Sequence, residues 1–175
     1  MYISNPSEAV QLAAVRKNYT AIQHCPDANE TVQLAAVAVT SDALGFIKSP
    51  TQRVMEAAVA DRWIAIKYIN NPCEKLQWIA VRQCEESVYY IKNPAEAVQV
   101  FCVLIDPATK RWIPEPCYAA QLAAVGHVVW AMSLIPEPNE ALQLLAIRKE
   151  PDSYHVINNP TPGAQAFYKN ITKVL

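Results

Sequence analysis

Glutamine recurs along this chain at a fixed spacing of 22 residues, and Met55 fills the one gap in the series. The recurring residues are Gln11, Gln33, Gln77, Gln99, Gln121, Gln143 and Gln165. A fixed period of this length is typical of a stacked repeat array. We therefore predict one helical-repeat domain over 1–175, with repeats that begin near residues 6, 28, 50, 72, 94, 116, 138 and 160. We number each repeat from these starts, which places the glutamine at position 6.

Local signals within one repeat predict a helix in its first half. Most repeats have proline at position 1, and a polar residue such as Asn71 or Asn93 precedes it. Such a residue is a favourable N-cap, and proline is tolerated at the first helical position. Glutamates such as Glu30 and Glu96 follow two residues later and suggest a capping box. With apolar residues at positions 5, 8 and 9, the pattern predicts a first helix of about twelve residues.

The second half of the repeat predicts another, shorter helix. Its apolar residues fall at positions 16, 17 and 20, and Asn18, Thr40, Pro107 and Pro151 stand where it begins. Two short helices in each repeat form a helical hairpin, and hairpins stack into an α-solenoid. We therefore predict an all-α fold of about eight 22-residue hairpins, each with a long and a short helix, in an elongated superhelix. Its right hand is expected by analogy with other helical repeats.

The strict recurrence of glutamine calls for an explanation beyond helix propensity. Buried amides must be hydrogen-bonded, and a repeated side chain can satisfy the backbone of repeated loops. We expect the glutamines to form a ladder of hydrogen bonds to the adjoining hairpin or loop. The alternative is a solvated glutamine that repeat duplication has retained.

Position 19 carries an aromatic residue in four consecutive repeats, and two of these residues follow a basic one. The candidate binding residues are Phe46, Tyr68, Tyr90 and Trp112, with Lys67 and Arg111 beside them. One interpretation is an aromatic ladder on a groove, which would bind an extended peptide or stack bases. The other is packing between repeats, which is the commoner role of an aromatic stripe at regular spacing. The sequence leaves both open.

Composition argues against several functional classes. The net charge is −1, with 15 basic and 16 acidic residues, so non-specific binding to nucleic acid or to an anionic membrane is not expected. The three histidines lie in different repeats without metal-ligand spacing, and no catalytic pair is evident. We predict a protein that is not an enzyme and holds no metal or cofactor.

Cysteine usage and hydropathy bear on localisation. The chain has five cysteines and no Cys-x-x-Cys motif, which favours reduced thiols in the cytoplasm. It has no signal peptide at its start and no uninterrupted apolar stretch long enough for a transmembrane helix. We therefore expect a cytoplasmic protein that does not span a membrane.

The segments 68–81 and 90–99 carry the pattern Ile-x-Asn-Pro-x-x-x-x-Gln-x-x-Ala-Val in whole or in part. This pattern resembles an uncharacterised helical-repeat family of bacteriophage, bacterial and protist proteins, and the resemblance covers nearly the full chain. The family has no established catalytic residues that could be carried over. The resemblance implies a viral accessory or host-directed role, such as inhibiting host defence by binding a host protein or sequestering a nucleotide.

The two ends of the repeat array differ in sequence. The last repeat departs from the pattern with Pro162, Gly163, Tyr168 and Lys169, as expected of a C-terminal cap. The first repeat is close to consensus, so its outer face is expected to support a homodimer. We predict that the chain binds another protein as an interaction module. The alternative is a nucleotide or small-ligand binder that uses the aromatic row with Lys67 and Arg111.

Overall fold

The computed structural model of this chain describes residues 6–173, apart from the side chain of Lys110. The α-helices are α1 (Glu8–Lys17), α2 (Glu30–Val37), α3 (Gln52–Asp61), α4 (Glu74–Gln83), α5 (Glu96–Ile105), α6 (Tyr118–His127), α7 (Glu140–Lys149) and α8 (Pro162–Thr172). The 3₁₀-helices are η1 (Tyr19–His24), η2 (Ser41–Phe46), η3 (Trp63–Tyr68), η4 (Glu85–Tyr90), η5 (Pro107–Trp112), η6 (Val129–Leu134) and η7 (Pro151–Val156). The described residues contain no β-strand. The prediction of an all-α solenoid of about eight repeats is confirmed.

The chain divides into two compact units, Met1–Asn93 and Pro94–Leu175. In the first unit, α1 to α4 pack each against the next, and η1 to η4 do the same. In the second unit, α5 to α8 form one such row and η5 to η7 form the other. Within each unit the repeats therefore stack as two parallel layers of helices. The single array over 1–175 stays a prediction.

The core of each unit lies between successive repeats. In α3 the buried residues are Val54, Ala58 and Val59, at positions 5, 9 and 10. Since 3.6 residues complete a turn, positions 5, 6, 9 and 10 form one stripe that faces the neighbouring repeats. Position 8 lies outside this stripe, and Ala57 is exposed. Of the apolar positions 5, 8 and 9 that indicated a helix, positions 5 and 9 are therefore buried in α3 and position 8 is not.

The helix starts lie two residues later than the sequence signals suggest. The N-caps stand at position 2, where the side chains of Asn29 and Asn139 accept from the N–H groups of Val32 and Leu142 at 3.0 Å. Proline therefore precedes the cap instead of opening the helix, and the predicted capping box is wrong. The polar residue before proline serves the loop: Asn71 has a φ of 53°, a left-handed conformation that asparagine tolerates better than most residues.

The short second helices are 3₁₀-helices of six residues. Their main-chain bonds run to the third residue back, as in Cys25 N–H to the Ile22 carbonyl at 3.0 Å. At a rise of about 2.0 Å per residue, six residues span roughly 12 Å. Ten α-helical residues span about 15 Å, so the stretched short helix runs back along most of the long one. Asn18 and Thr40 cap the start of η1 and η2, as predicted.

Candidate functional site

The recurring glutamine makes the same bond inside every repeat that has it. In the second unit, Gln99 Nε2 donates to the Pro94 carbonyl at 2.8 Å. Equivalent bonds to the carbonyl at position 1, at 2.8 to 2.9 Å, are made by Gln11, Gln33, Gln77, Gln121, Gln143 and Gln165. Each glutamine side chain is thereby fixed against the loop that precedes its own helix.

The amide oxygen of the glutamine reaches the next repeat in three clear cases. Thr51 N–H donates to Gln33 Oε1 at 3.3 Å. Cys117 N–H donates to Gln99 Oε1 at 2.8 Å, and Thr161 N–H to Gln143 Oε1 at 2.9 Å. The donor is the N-cap residue of the following α-helix, whose N–H has no partner within that helix. We call this pair of bonds, within and between repeats, the glutamine rung.

The rung is open at Gln121. Its Nε2 donates to the Pro116 carbonyl at 2.9 Å, but among the described residues its Oε1 accepts no hydrogen bond. Gln121 lines a groove of about 450 Å³ between the loop segments 113–116 and 135–138. At the corresponding place beside Gln33, where the rung is made, the cavity measures about 50 Å³. At Gln121 the missing bond between repeats thus coincides with an open groove; Gln11 Oε1 likewise accepts no hydrogen bond among the described residues.

Three rings of the aromatic row lie in the first unit and stay partly open to solvent. Phe46 is 39% exposed, and Tyr68 and Tyr90 are each 38% exposed. Phe46 meets Tyr19 of the preceding repeat edge-on at 5.9 Å between ring centres. The Tyr90 ring lies 6.3 Å from the Trp63 ring of the preceding repeat, between ring centres, in a tilted arrangement. These rings combine packing between repeats with an accessible face.

Tyr68 is held by the preceding repeat in a different way. Its hydroxyl donates to Asp42 Oδ1 at 3.1 Å. Its ring lies so close to Gly45 that a Cβ there would come within 2.8 Å of it. The lack of a side chain at Gly45 therefore makes room for the ring.

The basic residues of the candidate site contact the ring that follows them. Lys67 Nζ lies 4.7 Å from the centre of the Tyr68 ring, and the Arg111 guanidinium lies 4.7 Å from that of Trp112. These are cation–π distances. Trp112 is half-buried, and it lies with Arg111 in the second unit. The six candidate residues thus divide between the two units.

The sequence analysis did not identify the residues of the preceding repeats against which the position-19 rings pack. Tyr19 and Trp63 both stand at position 14, and their pairing with position 19 of the next repeat could have been found from these recurring aromatics. Tyr89 stands beside the row at position 18 but was not among the candidate binding residues; it is 63% exposed and meets Tyr90 edge-on at 5.0 Å. We call Phe46, Tyr68, Tyr89 and Tyr90 the aromatic surface.

The first and last helices present different faces. Val10 in α1 is 44% exposed, whereas position 5 is buried in the other seven repeats, as at Val32 and Val54. In the last repeat, Tyr168 stacks on Tyr154 at 4.1 Å between ring centres and an interplanar angle of 2°. The last repeat thus packs an aromatic ring against the repeat before it.

Two titratable side chains have shifted pKa values, and neither suggests a reactive group. Burial raises the pKa of the Cys25 thiol, which favours the protonated form over the nucleophilic thiolate. Hydrogen bonds from Lys75 and Gln52 lower the pKa of the Glu56 carboxyl. The ion pair between Lys75 and Glu56, at 2.7 Å, joins the first turn of α4 to the preceding repeat.

Residues 6–173 include no cluster of three or more His, Cys, Asp and Glu side chains that could hold a metal ion. In that same part of the chain, every helix is too short or too polar to cross a membrane. Comparisons with protein-family models, with curated proteins and with solved structures found no match. The geometry of the chain itself is therefore the basis for a functional proposal.

Proposed function

We propose that this chain is a non-enzymatic interaction module that binds another protein through the aromatic surface. The observation that carries the proposal is the seating of Phe46, Tyr68 and Tyr90, each fixed by the preceding repeat and each more than a third exposed. Aromatic anchors carry much of the energy of protein interfaces. Rings that are already held in place lose little side-chain freedom on binding.

A nucleotide or another small ligand is the second candidate. The observation that favours it is Lys67 beside Tyr68, since a base could stack on the ring while the ammonium meets a phosphate. However, the ammonium already lies over the ring, and a stacked base would have to displace it or use the other face. A protein partner can use the exposed ring edges without this cost, so we favour the first proposal.

The resemblance to phage repeat proteins adds a biological setting to this proposal. In this setting the chain is a phage accessory protein that acts in the host cytoplasm and inhibits host defence by binding a host protein. The aromatic surface would be the binding surface. The support for this setting is the repeat pattern in the segments 68–81 and 90–99.

Replacing the exposed rings is expected to abolish partner binding while the fold is retained. We suggest the triple variant Phe46→Ala, Tyr68→Ala, Tyr90→Ala as bait in a pull-down read by mass spectrometry. A partner captured by the wild-type chain should be lost, since aromatic hot-spot residues of an interface cost about 2 kcal/mol or more each when truncated. Circular dichroism checks that the variant is still helical.

Trp130→Ala is the matched control, because Trp130 is also an exposed aromatic residue but lies outside the aromatic surface. It should retain the partner. Equal capture by the wild type and the triple variant would contradict the proposal. In parallel, a nucleotide at 100 times its dissociation constant should add about 2.7 kcal/mol to stability, and such a thermal shift would favour the second candidate.

We also propose that two copies associate through the outer face of α1. The support is Val10, which is 44% exposed although its equivalents in the other repeats are buried. Light scattering is expected to give the mass of two chains for the wild type and of one chain for Val10→Asp. Val39→Asp, at a residue that is 49% exposed, is the control and should stay dimeric. A monomeric wild type at high concentration would refute this association.

A further inference from the structure

The groove at the open rung has apolar walls that come from two successive loops of the second unit. Ile113 and Pro114 form one side, and Ile135 and Pro136 the other. Both loops have the sequence Ile-Pro-Glu-Pro, so the walls are made of rigid, apolar residues. Proline locks its own φ angle, and such walls lose little freedom when a ligand binds.

The groove is also lined by a hydrogen-bond acceptor without a donor. Gln121 Oε1 stands where Gln99 Oε1 and Gln143 Oε1 each accept a backbone N–H from the next repeat. An amide oxygen that leaves water without a new partner carries a desolvation cost. An occupant that supplies an N–H at this point would therefore be favoured over one that does not.

The closed rungs show what kind of segment supplies that N–H. The donors Thr51, Cys117 and Thr161 each directly follow a proline. Their backbones are extended, with φ from −71° to −60° and ψ from 157° to 159°. In each closed rung the donor is thus the residue after a proline in an extended chain. Asn139 follows Pro138 with a similar backbone, at φ −68° and ψ 164°, but does not donate to Gln121.

Two charges on the groove add polarity to this arrangement. Arg111 and Glu137 both line it, from different loops. The described residues provide no ion pair to either side chain. An extended chain that carries an acidic and a basic residue, or one of the two, would gain charge complementarity in the groove.

We propose that the groove between segments 113–116 and 135–138 binds an extended, proline-containing peptide segment of a partner protein. The N–H of the residue after the proline donates to Gln121 Oε1, the proline packs between the loop walls, and a basic residue meets Glu137. This deepens the proposed function, on which it rests. Because the groove and the aromatic surface lie in different units, variants of one can fail while the other still binds.

The direct test uses a peptide copied from the chain itself. Residues 47–52, Ile-Lys-Ser-Pro-Thr-Gln, contain the N–H that donates to Gln33 Oε1. Fluorescence anisotropy of the labelled peptide against the full chain is expected to show saturable binding. N-methylation of the peptide threonine removes the donor and should weaken binding at least about tenfold. Equal binding of the methylated peptide, or no binding of the parent up to millimolar concentrations, would overturn the proposal.

Variants of the chain locate the site. Gln121→Leu should weaken peptide binding at least about tenfold. Gln165→Leu is the matched control, because Gln165 makes the same bond to its own loop but lies outside the groove. It should bind the peptide as the wild type does. Equal loss of binding in both variants would contradict a site at Gln121.

A charge reversal keeps the test valid if Gln121→Leu does not fold. Glu137 is exposed, so Glu137→Lys should leave the fold intact. This variant is expected to bind the parent peptide more weakly and its Lys→Glu version more tightly than the wild-type chain does. An unchanged preference between the two peptides would count against the groove as their binding site.

Discussion

Replacing Gln99 with alanine is expected to lower the free energy of unfolding by about 2–4 kcal/mol. The change removes the bonds to the Pro94 carbonyl and from the Cys117 N–H. Gln99 itself is buried, so both backbone groups lose a partner in a site that water reaches poorly. Chemical denaturation monitored by circular dichroism measures the loss.

Glu96→Ala is the control, because Glu96 is exposed in the same helix. Surface substitutions usually change stability by less than about 0.5 kcal/mol. Gln99→Glu separates the two bonds: it keeps an oxygen for the Cys117 N–H but replaces the donor to Pro94 with an acceptor. Equal stability of Gln99→Ala and Glu96→Ala would contradict the ladder. It would support the alternative, a solvated glutamine that repeat duplication has retained.

Enlarging Ala58 to leucine is expected to destabilise the first unit by about 1–3 kcal/mol. Ala58 stands at position 9 of α3 and is fully buried. Small residues occupy this position in most repeats, as at Ala36 and Ala80, so α3 can approach its neighbours closely. A leucine at this point would force α3 away from α2 or α4, and thermal unfolding measures the cost.

Ala57→Leu provides a control one residue away. Ala57 is exposed, and leucine has nearly the helix propensity of alanine. This variant should therefore unfold within about 0.5 kcal/mol of the wild type. A larger loss for Ala57→Leu than for Ala58→Leu would show that the helix faces its neighbours with a different stripe.

The repeat architecture could be predicted because the same pattern of apolar, proline and glutamine residues recurs in about eight repeats. A single apolar residue such as Val54 says little, but position 5 is apolar in every repeat and is buried in all but the first. The period fixed the number of units, and the helical spacing fixed the all-α class. A short segment alone could be read as a helix or a strand, but the same helical spacing in repeat after repeat indicates a helix.

Local details were harder to predict, since two structures fit the same residues. Apolar residues at positions 16, 17 and 20 suit an α-helix and a 3₁₀-helix equally, because both bring residues three apart to one side. The helix start was misplaced because Asn71 and Cys73 flank Pro72, and the stronger cap former is the wrong one here. The backbone geometry of the loop, with Asn71 at positive φ, decided the outcome.

The candidate site was predictable in its residues but not in its geometry. Position 19 pointed to Phe46, Tyr68 and Tyr90, but sequence could not show that each ring both packs and stays exposed. The groove could not be predicted from the sequence either. In sequence, Gln121 looks like every other glutamine of the series.

Amide hydrogen exchange tests the central claim, that glutamine side chains join neighbouring repeats. Cys117 and Thr161 are N-cap residues, whose N–H groups have no partner within a helix. If Gln99 and Gln143 hold them, their exchange should be slowed at least about a hundredfold relative to an unstructured peptide. Asn139, the N-cap residue that follows the open rung, should exchange fast. Equally fast exchange at all three residues would contradict the account.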